Sequence, residues 1–231
     1  MQIMFTSFYL KCINSLLIRT YRKNVKKYGF TPRGLFWNSR ESQENRFKIL
    51  SKLLLKYSKT IDKEIRIADI GCGYGDLNSF LLKNFVKKFS YKGYDINPQF
   101  IDYCKTLKKS NENFFFVSDH PLETCDFSIM NGTYNYAINE NIYRWEKYLI
   151  HNLEKCYKHS KIGIIFNLQH SNSTKIENSI FYTSRSSMEE KLKKIFNVVN
   201  SFYFNTTPND VYYVILDSWK VNLFPSFIYT Y

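Results

Sequence analysis

The chain has 231 residues, of which 44% are hydrophobic and 18% aromatic, and its formal net charge is +13. The apolar fraction excludes an intrinsically disordered chain, because it is large enough for a buried core, and the length fits a single domain. The five cysteines include no C-x-x-C pair, so we predict no disulfide framework and no metal site, in a reducing cytoplasm.

The basic charge leaves two interpretations open. Clustered lysines and arginines bind nucleic acids by displacing counterions from phosphates, which would suit an RNA partner. In this chain, however, lysine is spread over many segments and forms no single basic stripe. The sequence therefore favours a solvated, lysine-rich surface over nucleic-acid binding.

Residues 1–30 begin with an apolar stretch at helical spacing, followed by a basic run from Arg19 to Lys27. Lys11 and Asn14 interrupt the apolar stretch, so the sequence predicts neither a transmembrane span nor a signal peptide. A helix of this kind can make a weak contact with a membrane surface. We favour the alternative, in which it packs on the domain or covers its active site.

A second helix is predicted over residues 42–57, because a run of leucines and Phe47 share one helical face. With the first helix, it makes residues 1–60 an N-terminal helical extension that packs on the core as a lid. Residues 61–231 then form the main domain.

The next element is a strand over residues 65–70, which runs directly into the turn G-C-G-Y-G at residues 71–75. Because glycine has no β-carbon, the backbone N–H groups of such a turn can approach a ligand closely. A helix over residues 77–89 is predicted to follow. A nicotinamide fingerprint would require glycine at position 76, which Asp76 occupies.

A short strand over residues 91–94 leads to Asp95. This carboxylate lies about 20 residues beyond the glycines, at the distance where an acidic side chain accepts hydrogen bonds from a ribose. The turn and the acid together predict a nucleotide site.

At Asp69, Gly71, Gly73 and Gly75 the chain resembles the class I S-adenosylmethionine-dependent methyltransferases, whose first motif is an acidic residue followed by G-x-G-x-G. Cys72 is interpreted as a small residue of this cofactor-binding turn. The resemblance implies S-adenosylmethionine as the cofactor. It also implies an α/β fold, a three-layer Rossmann-like sandwich with N-terminal helices and a mostly parallel, seven-stranded sheet that ends in an antiparallel strand.

The remaining predicted elements alternate as this fold requires. Asn97-Pro98 opens a helix that ends at about residue 107. Ser186 and Glu189 form a capping box for a helix through Phe196. The other elements are strands at 114–117, 127–130 and 162–167, a helix at 143–157, and a final antiparallel pair at 198–204 and 211–216, which extends the resemblance to Trp219.

The resemblance implies roles for residues outside the glycine turn. Asp119 matches the acidic position that binds the adenine amino group. Asn131 and Gly132 match the positions that contact the methionine part of the cofactor, at the carboxyl edge where open α/β sheets bind ligands.

Upstream, the segment W-N-S-R-E-S-Q-E-N-R-F resembles a signature of small bacterial methyltransferases from sugar and cell-surface polysaccharide pathways. In this interpretation Arg46 holds the cofactor carboxylate, and Trp37 and Gln43 close the pocket. The alternative is a structural cap in which Trp37 and Phe47 pack and Arg46 forms a local ion pair.

The residues after the fourth strand, Asn131 to Tyr134, do not form the N-P-P-Y-like loop of nucleic-acid N-methylating members. We therefore predict methyl transfer to an O or N atom of a small molecule, with a sugar or saccharide precursor as the candidate acceptor. His170 is the first candidate for a general base, and Tyr134 the second, as a group that orients the acceptor. The alternatives are an RNA-modifying methyltransferase and a noncatalytic cofactor-binding partner subunit.

Overall fold

A nine-stranded sheet forms the centre of the molecule in the computed structural model, which describes residues 2–107 and 114–217. Side chains are described from Phe8 onward, and the predicted extension to Trp219 lies outside the described residues. The elements, in chain order, are the helix α1 (Gln2–Tyr28), a 3-10 turn (Pro32–Leu35), α2 (Arg40–Tyr57), β1 (Ile65–Ile70), α3 (Asp76–Asn84), β2 (Phe89–Asp95), α4 (Pro98–Leu107), β3 (Phe115–Val117), β4 (Cys125–Met130), α5 (Ile142–His159), β5 (Ser160–His170), β6 (Lys175–Glu177), β7 (Ile180–Thr183), α6 (Arg185–Lys193), β8 (Val198–Phe202) and β9 (Asp210–Leu216).

The strands follow the order β3-β2-β1-β4-β5-β7-β6, and β9 pairs with both β5 and β8. Strands β1 to β5 are parallel, whereas β9 runs antiparallel to β5 from Gly163↔Leu216 to Gln169↔Asp210. This mostly parallel sheet with an antiparallel strand confirms the predicted Rossmann-like fold class.

Two apolar layers cover the faces of the sheet, because successive side chains of a strand point to opposite sides. In β9, Val211, Tyr213 and Ile215 pack with α1, α5 and α6, while Tyr212 and Val214 pack with α2, α3 and α4. Helix α1 also reaches a distant part of the sequence, since the Tyr148 hydroxyl of α5 donates to Asn14 Oδ1 at 2.7 Å. None of the helices in the described ranges has a long enough apolar stretch to cross a lipid bilayer.

The predicted count of seven strands is wrong, because β6 and β7 were not predicted. Both strands are short, with three residues in β6 and four in β7, and β6 is no more than half-buried, so the sequence signal of each is weak. Asn178 and Ser179 connect them with φ values of 51° and 62°, the left-handed pair of a tight hairpin turn.

Two of the predicted helices also have boundaries that differ from the structure. Helix α3 ends at Asn84, and Phe89 belongs to β2, because Phe85 adopts an extended conformation and its ring packs edge-on against Phe89 at 5.8 Å. Helix α6 begins after Ser184 and ends at Lys193, so the predicted capping box of Ser186 and Glu189 and the extension to Phe196 are wrong. Glu189 instead lies 3.6 Å from Arg185 and accepts a hydrogen bond from Ser201.

Candidate functional site

A cavity of about 760 Å³ lies at the carboxyl ends of β1, β2 and β4, under helix α1. Parallel α/β sheets bind ligands at this edge. We call it the first cavity. Its wall includes these predicted site residues: Trp37, Gly71, Gly73, Asp95, Asp119, Asn131, Gly132 and Tyr134.

The glycine turn forms the floor of the first cavity. Gly71, Gly73 and Gly75 have φ values of 73°, 53° and 74°, in the left-handed region that favours glycine. A β-carbon on Gly71 would stand 2.6 Å from Thr133 Cγ2, so a side chain there would push the turn away from the loop after β4. Cys72 is buried behind the turn, and burial raises the pKa of its thiol well above the ordinary value.

Asp95 faces this turn from the end of β2. Its Oδ2 accepts the Gly73 N–H at 3.0 Å, and its Oδ1 accepts the Asn97 N–H at 2.8 Å. Burial raises the pKa of Asp95 to about 6, although the two backbone hydrogen bonds favour the ionised form. Near neutral pH the first cavity therefore contains a carboxylate held in place by backbone donors.

Asp69 lies behind the glycine turn and is not part of the cavity wall. The Tyr91 hydroxyl donates to Asp69 Oδ2 at 2.6 Å, and only 3% of the residue is exposed. Burial raises the pKa of Asp69 to about 7. The structure therefore joins Asp69 at the end of β1 to Tyr91 of β2, outside the wall of the first cavity.

Asp119 lies at the end of the cavity beyond β3. Its Oδ1 is 2.5 Å from Lys155 Nζ and 2.5 Å from His120 Nδ1. Burial alone would raise the pKa of Asp119, but the hydrogen bonds from Lys155 and His120 outweigh it and lower that pKa. Asp119 is thus a fixed anion in the wall.

The loop after β4 lies beside the glycine turn and forms another part of the cavity wall. Thr133 Oγ1 donates to the Ile70 carbonyl at 2.8 Å, which ties this loop to β1. Asn131 Oδ1 is buried without a hydrogen-bond partner among the described residues. Gly132 has a φ of 70°, and the Trp37 ring packs so closely on it that a β-carbon would stand 2.8 Å from Cη2 of the ring.

A buried polar network links this loop to α2. The Gly132 N–H donates to Asn167 Oδ1 at 2.9 Å, and Asn167 Nδ2 donates to Asp210 Oδ1 at 3.2 Å. Asp210 Oδ2 lies 2.7 Å from Arg46 Nη2, and the guanidinium is 5.1 Å from the Trp37 ring centroid. We call Asn167, Asp210 and Arg46 the buried network. Because the Trp37 ring contacts both Arg46 and Gly132, the contacts that start at Gly132 lead back to it.

The buried network bears on two predicted cofactor contacts. Arg46 uses one guanidinium nitrogen for Asp210, and Nη1 donates to the carbonyl and hydroxyl of Ser42 at 2.9 and 2.6 Å. Gln43 is 3% exposed, and its Nε2 donates to Asp76 Oδ2 at 3.3 Å. Both side chains thus contact protein groups outside the first cavity, and their contact with the cofactor stays a prediction.

The two candidate catalytic residues lie apart. Tyr134 belongs to the cavity wall and is 3% exposed. Burial raises its pKa well above the ordinary value, so the phenol stays neutral and can orient a ligand without acting as a base. The His170 ring lies outside this wall and contacts the Tyr203 hydroxyl at 3.1 Å.

Several residues of the wall were not predicted. Leu17, Ile18 and Tyr21 come from α1, and Tyr148 and Asn152 come from α5. The sequence analysis favoured packing of this helix on the domain or over its active site, but the helical spacing did not indicate which of its residues reach the cavity.

A second cavity of about 720 Å³ adjoins the first. The two share the wall residues Tyr21, Leu35, Trp37 and Gly132. Trp37 and Gly132 therefore lie at the junction of the two cavities.

No protein-family model matches the chain, and no curated protein matches it. Among solved structures, its fold is the Rossmann-like fold of S-adenosylmethionine-dependent methyltransferases.

One such structure is the plantazolicin methyltransferase BpumL in complex with a triazolic desmethylPZN analog and SAH, at a TM-score of 0.61 and 16% identity, covering 90% of this chain and 98% of that one. A second is a SAM-dependent methyltransferase of the DUF858 family from Leishmania major, at a TM-score of 0.58 and 12% identity. The match covers 85% of this chain and 82% of that one. A third is the CurJ carbon methyltransferase, at a TM-score of 0.54 and 12% identity. The match covers 74% of this chain, which spans 53% of the length of that one. At these identities the similarity is one of fold.

Proposed function

We propose that this protein is an S-adenosylmethionine-dependent methyltransferase that acts on an O or N atom of a small molecule, with a sugar or saccharide precursor as the candidate acceptor. The observation that carries the proposal is Asp95, a buried carboxylate held by the backbone of Gly73 and Asn97 in the wall of the first cavity. The resemblance of the glycine turn to the first methyltransferase motif supports the same conclusion.

The residues of the first cavity fit this cofactor. Asp95 would accept the ribose hydroxyls, and Asp119 the adenine amino group. The unpartnered Asn131 Oδ1 is a buried acceptor that the ammonium group of the methionine part would satisfy. At Gly71 and Gly73 a β-carbon would stand 2.6 Å from Thr133 Cγ2 and 2.7 Å from Leu35 Cδ1, so the close packing around this floor requires glycine.

When bound, S-adenosylmethionine supplies a methyl group activated by a positively charged sulfur. The chain's own residues would then orient the acceptor and exclude water, which can contribute about 7–11 kcal/mol through proximity. Tyr134, as a neutral phenol, would donate or accept a hydrogen bond to position the acceptor. Trp37 and the α1 residues Leu17 and Tyr21 would close the site from above.

Calorimetry with S-adenosylhomocysteine, the demethylated product, tests the proposal. We expect binding to this compound and none to a nicotinamide dinucleotide, because Asp76 replaces the third glycine of the nicotinamide fingerprint. Well-folded protein that binds only the dinucleotide would overturn the assignment. Tight binding of a defined RNA at physiological salt, with methyl incorporation, would favour the RNA-modifying alternative, and binding without turnover of any acceptor would favour the noncatalytic one.

We propose residues 1–60 as the lid of a domain formed by residues 61–231, in a protein of the cytoplasm. All five cysteines are free thiols, which suits a reducing compartment.

The lid should become more ordered when the cofactor binds. We expect backbone amides of residues 37–46 to exchange at least about tenfold more slowly in the presence of S-adenosylhomocysteine, because Trp37 lines the first cavity. Hydrogen exchange with mass spectrometry measures this, with α6 as an internal control that should not change. If binding is confirmed and the segment gains no protection, it is a fixed part of the core and the lid proposal is wrong.

A further inference from the structure

The second cavity lies next to the first and is separated from it by Trp37 and Gly132. On the basis of the proposed function, a methyl acceptor must reach the cofactor from a neighbouring space. We infer that the second cavity is the acceptor site and that it selects an uncharged ring carrying hydroxyl groups.

The charge in this cavity is already balanced. Arg46 is the one charged side chain among the described residues of its wall, and Asp210 lies 2.7 Å from it. Asp210 is fully buried and Arg46 is 8% exposed, so solvent screens the pair weakly. A phosphate or carboxylate would find no free cation, and an ammonium group no free carboxylate, so a charged acceptor would lose hydration without gaining a counterion.

Aromatic rings supply much of the wall. Phe36 and Tyr136 stack with centroids 4.5 Å apart, and Tyr21 meets Phe36 edge-on at 5.1 Å. Trp37 and Tyr182 add two further rings. Such flat apolar surfaces bury the face of a ring-shaped ligand.

Phe36 is unusual among these residues. It has a φ of 62°, in the left-handed region that a bulky residue rarely adopts, and 37% of it is exposed. Strained residues of this kind cluster at ligand sites, where the surrounding structure holds them. The strained backbone holds an exposed aromatic ring beside the second cavity.

The polar part of the wall is made of neutral groups that both donate and accept hydrogen bonds. Asn38, Asn135 and Gln169 contribute side-chain amides, and Ser42 contributes a hydroxyl. Asn135 Oδ1 already accepts the Gln169 N–H at 3.2 Å, which fixes the orientation of that amide. Hydroxyl groups also donate and accept, so they match this lining.

A panel of matched probes tests the inference in protein saturated with S-adenosylhomocysteine. The neutral probes are para-cresol and methyl glucoside, which separate a phenolic from a saccharide ring. Their charged counterparts are para-hydroxybenzoate, tyramine and methyl glucuronide. The readout is the indole N–H signal of Trp37 in nuclear magnetic resonance spectra, assigned with Trp37→Phe.

We expect at least one neutral probe to shift the Trp37 signal and to bind about tenfold more tightly than its charged counterparts, a difference of about 1.4 kcal/mol. Charged probes that bind as tightly as the neutral ones overturn the inference. So does a Trp37 signal that no neutral probe shifts in protein that binds S-adenosylhomocysteine. Failure to bind S-adenosylhomocysteine itself is a separate result, which counts against the proposed function.

The variant Gln169→Leu removes one amide while keeping a similar volume. It should lower the affinity for the tightest-binding neutral probe about fivefold, because Gln169 lines the second cavity. The affinity for S-adenosylhomocysteine should stay unchanged, because Gln169 is absent from the wall of the first cavity. The exposed Gln99→Leu is the matched control and should change neither affinity. Equal probe affinities in the two variants would overturn the role of this polar lining.

Discussion

Replacing Asp210 by asparagine is expected to lower the free energy of unfolding by about 3–5 kcal/mol, the usual cost of removing one partner of a buried ion pair. Asparagine keeps the shape of the side chain and an oxygen for Asn167, so the loss reflects the unpaired charge of Arg46, which is 8% exposed. Urea unfolding monitored by circular dichroism measures the change.

The chain provides a matched control for this experiment. Arg40 and Asp76 form an ion pair of the same residue types at 3.1 Å, but the Arg40 side chain is 53% exposed. Asp76→Asn should therefore lower the free energy of unfolding by less than about 1 kcal/mol, because solvent screens the pair. Equal losses in the two variants would contradict the energetic role of the buried network.

In the complementary variant Arg46→Met, the loss of stability should depend on pH. Burial raises the pKa of Asp210, while Arg46 lowers it, so removing Arg46 raises that pKa further. A carboxyl whose pKa is higher in the folded than in the unfolded protein loses stability as the pH rises through the folded value. The loss caused by Arg46→Met should therefore be larger near pH 8 than near pH 5.

Replacing Asp95 by alanine is expected to weaken the binding of S-adenosylhomocysteine by about 1.5–3 kcal/mol, the range for a hydrogen bond to a charged group. Binding by the unmodified protein should also strengthen as the pH rises through about 6, the pKa of Asp95, because the ionised carboxylate is the form that accepts both ribose hydroxyls. Isothermal calorimetry measures both effects.

Asp95 also holds the Gly73 and Asn97 backbone, so its removal can change the shape of the turn. A cofactor analogue without ribose hydroxyls separates the two effects, since the Asp95→Ala variant should not distinguish it from S-adenosylhomocysteine. The exposed Asp102→Ala, on the neighbouring helix α4, should bind as the unmodified protein does. A variant at Asp95 that still prefers the ribose hydroxyls would show that another group binds them.

Local patterns predicted the part of the fold around the glycine turn. The motif consists of a strand, a turn that requires glycine and an acidic residue about 20 residues later. These parts are close in sequence, so their spacing is enough to predict that the acidic residue lies beside the turn. The structure places Asp95 Oδ2 3.0 Å from the Gly73 nitrogen, beside the turn. The apolar run at residues 211–216 likewise predicted a strand, and the structure buries every residue of β9.

The buried network was not predictable in this way. Asn167 and Asp210 are 43 residues apart, and they meet because β5 and β9 pair antiparallel in one register. The available signal was a polar residue in an apolar strand, since Asn167 interrupts a fully buried run. That signal marks a residue in need of a partner, but tertiary pairing determines which partner it finds.

The contact between Asn14 and Tyr148, which are 134 residues apart, has a consequence for the order of events on the ribosome. At about 5–20 residues per second, roughly 7–27 s pass between synthesis of the two residues, whereas a helix forms in microseconds. The apolar residues of α1, which include Ile13 and Leu17, are therefore synthesised well before the α5 surface that covers them. Helix α1, which covers the first cavity, is synthesised first and docks late. Newly made chains therefore expose its apolar residues to chaperones until α5 has emerged.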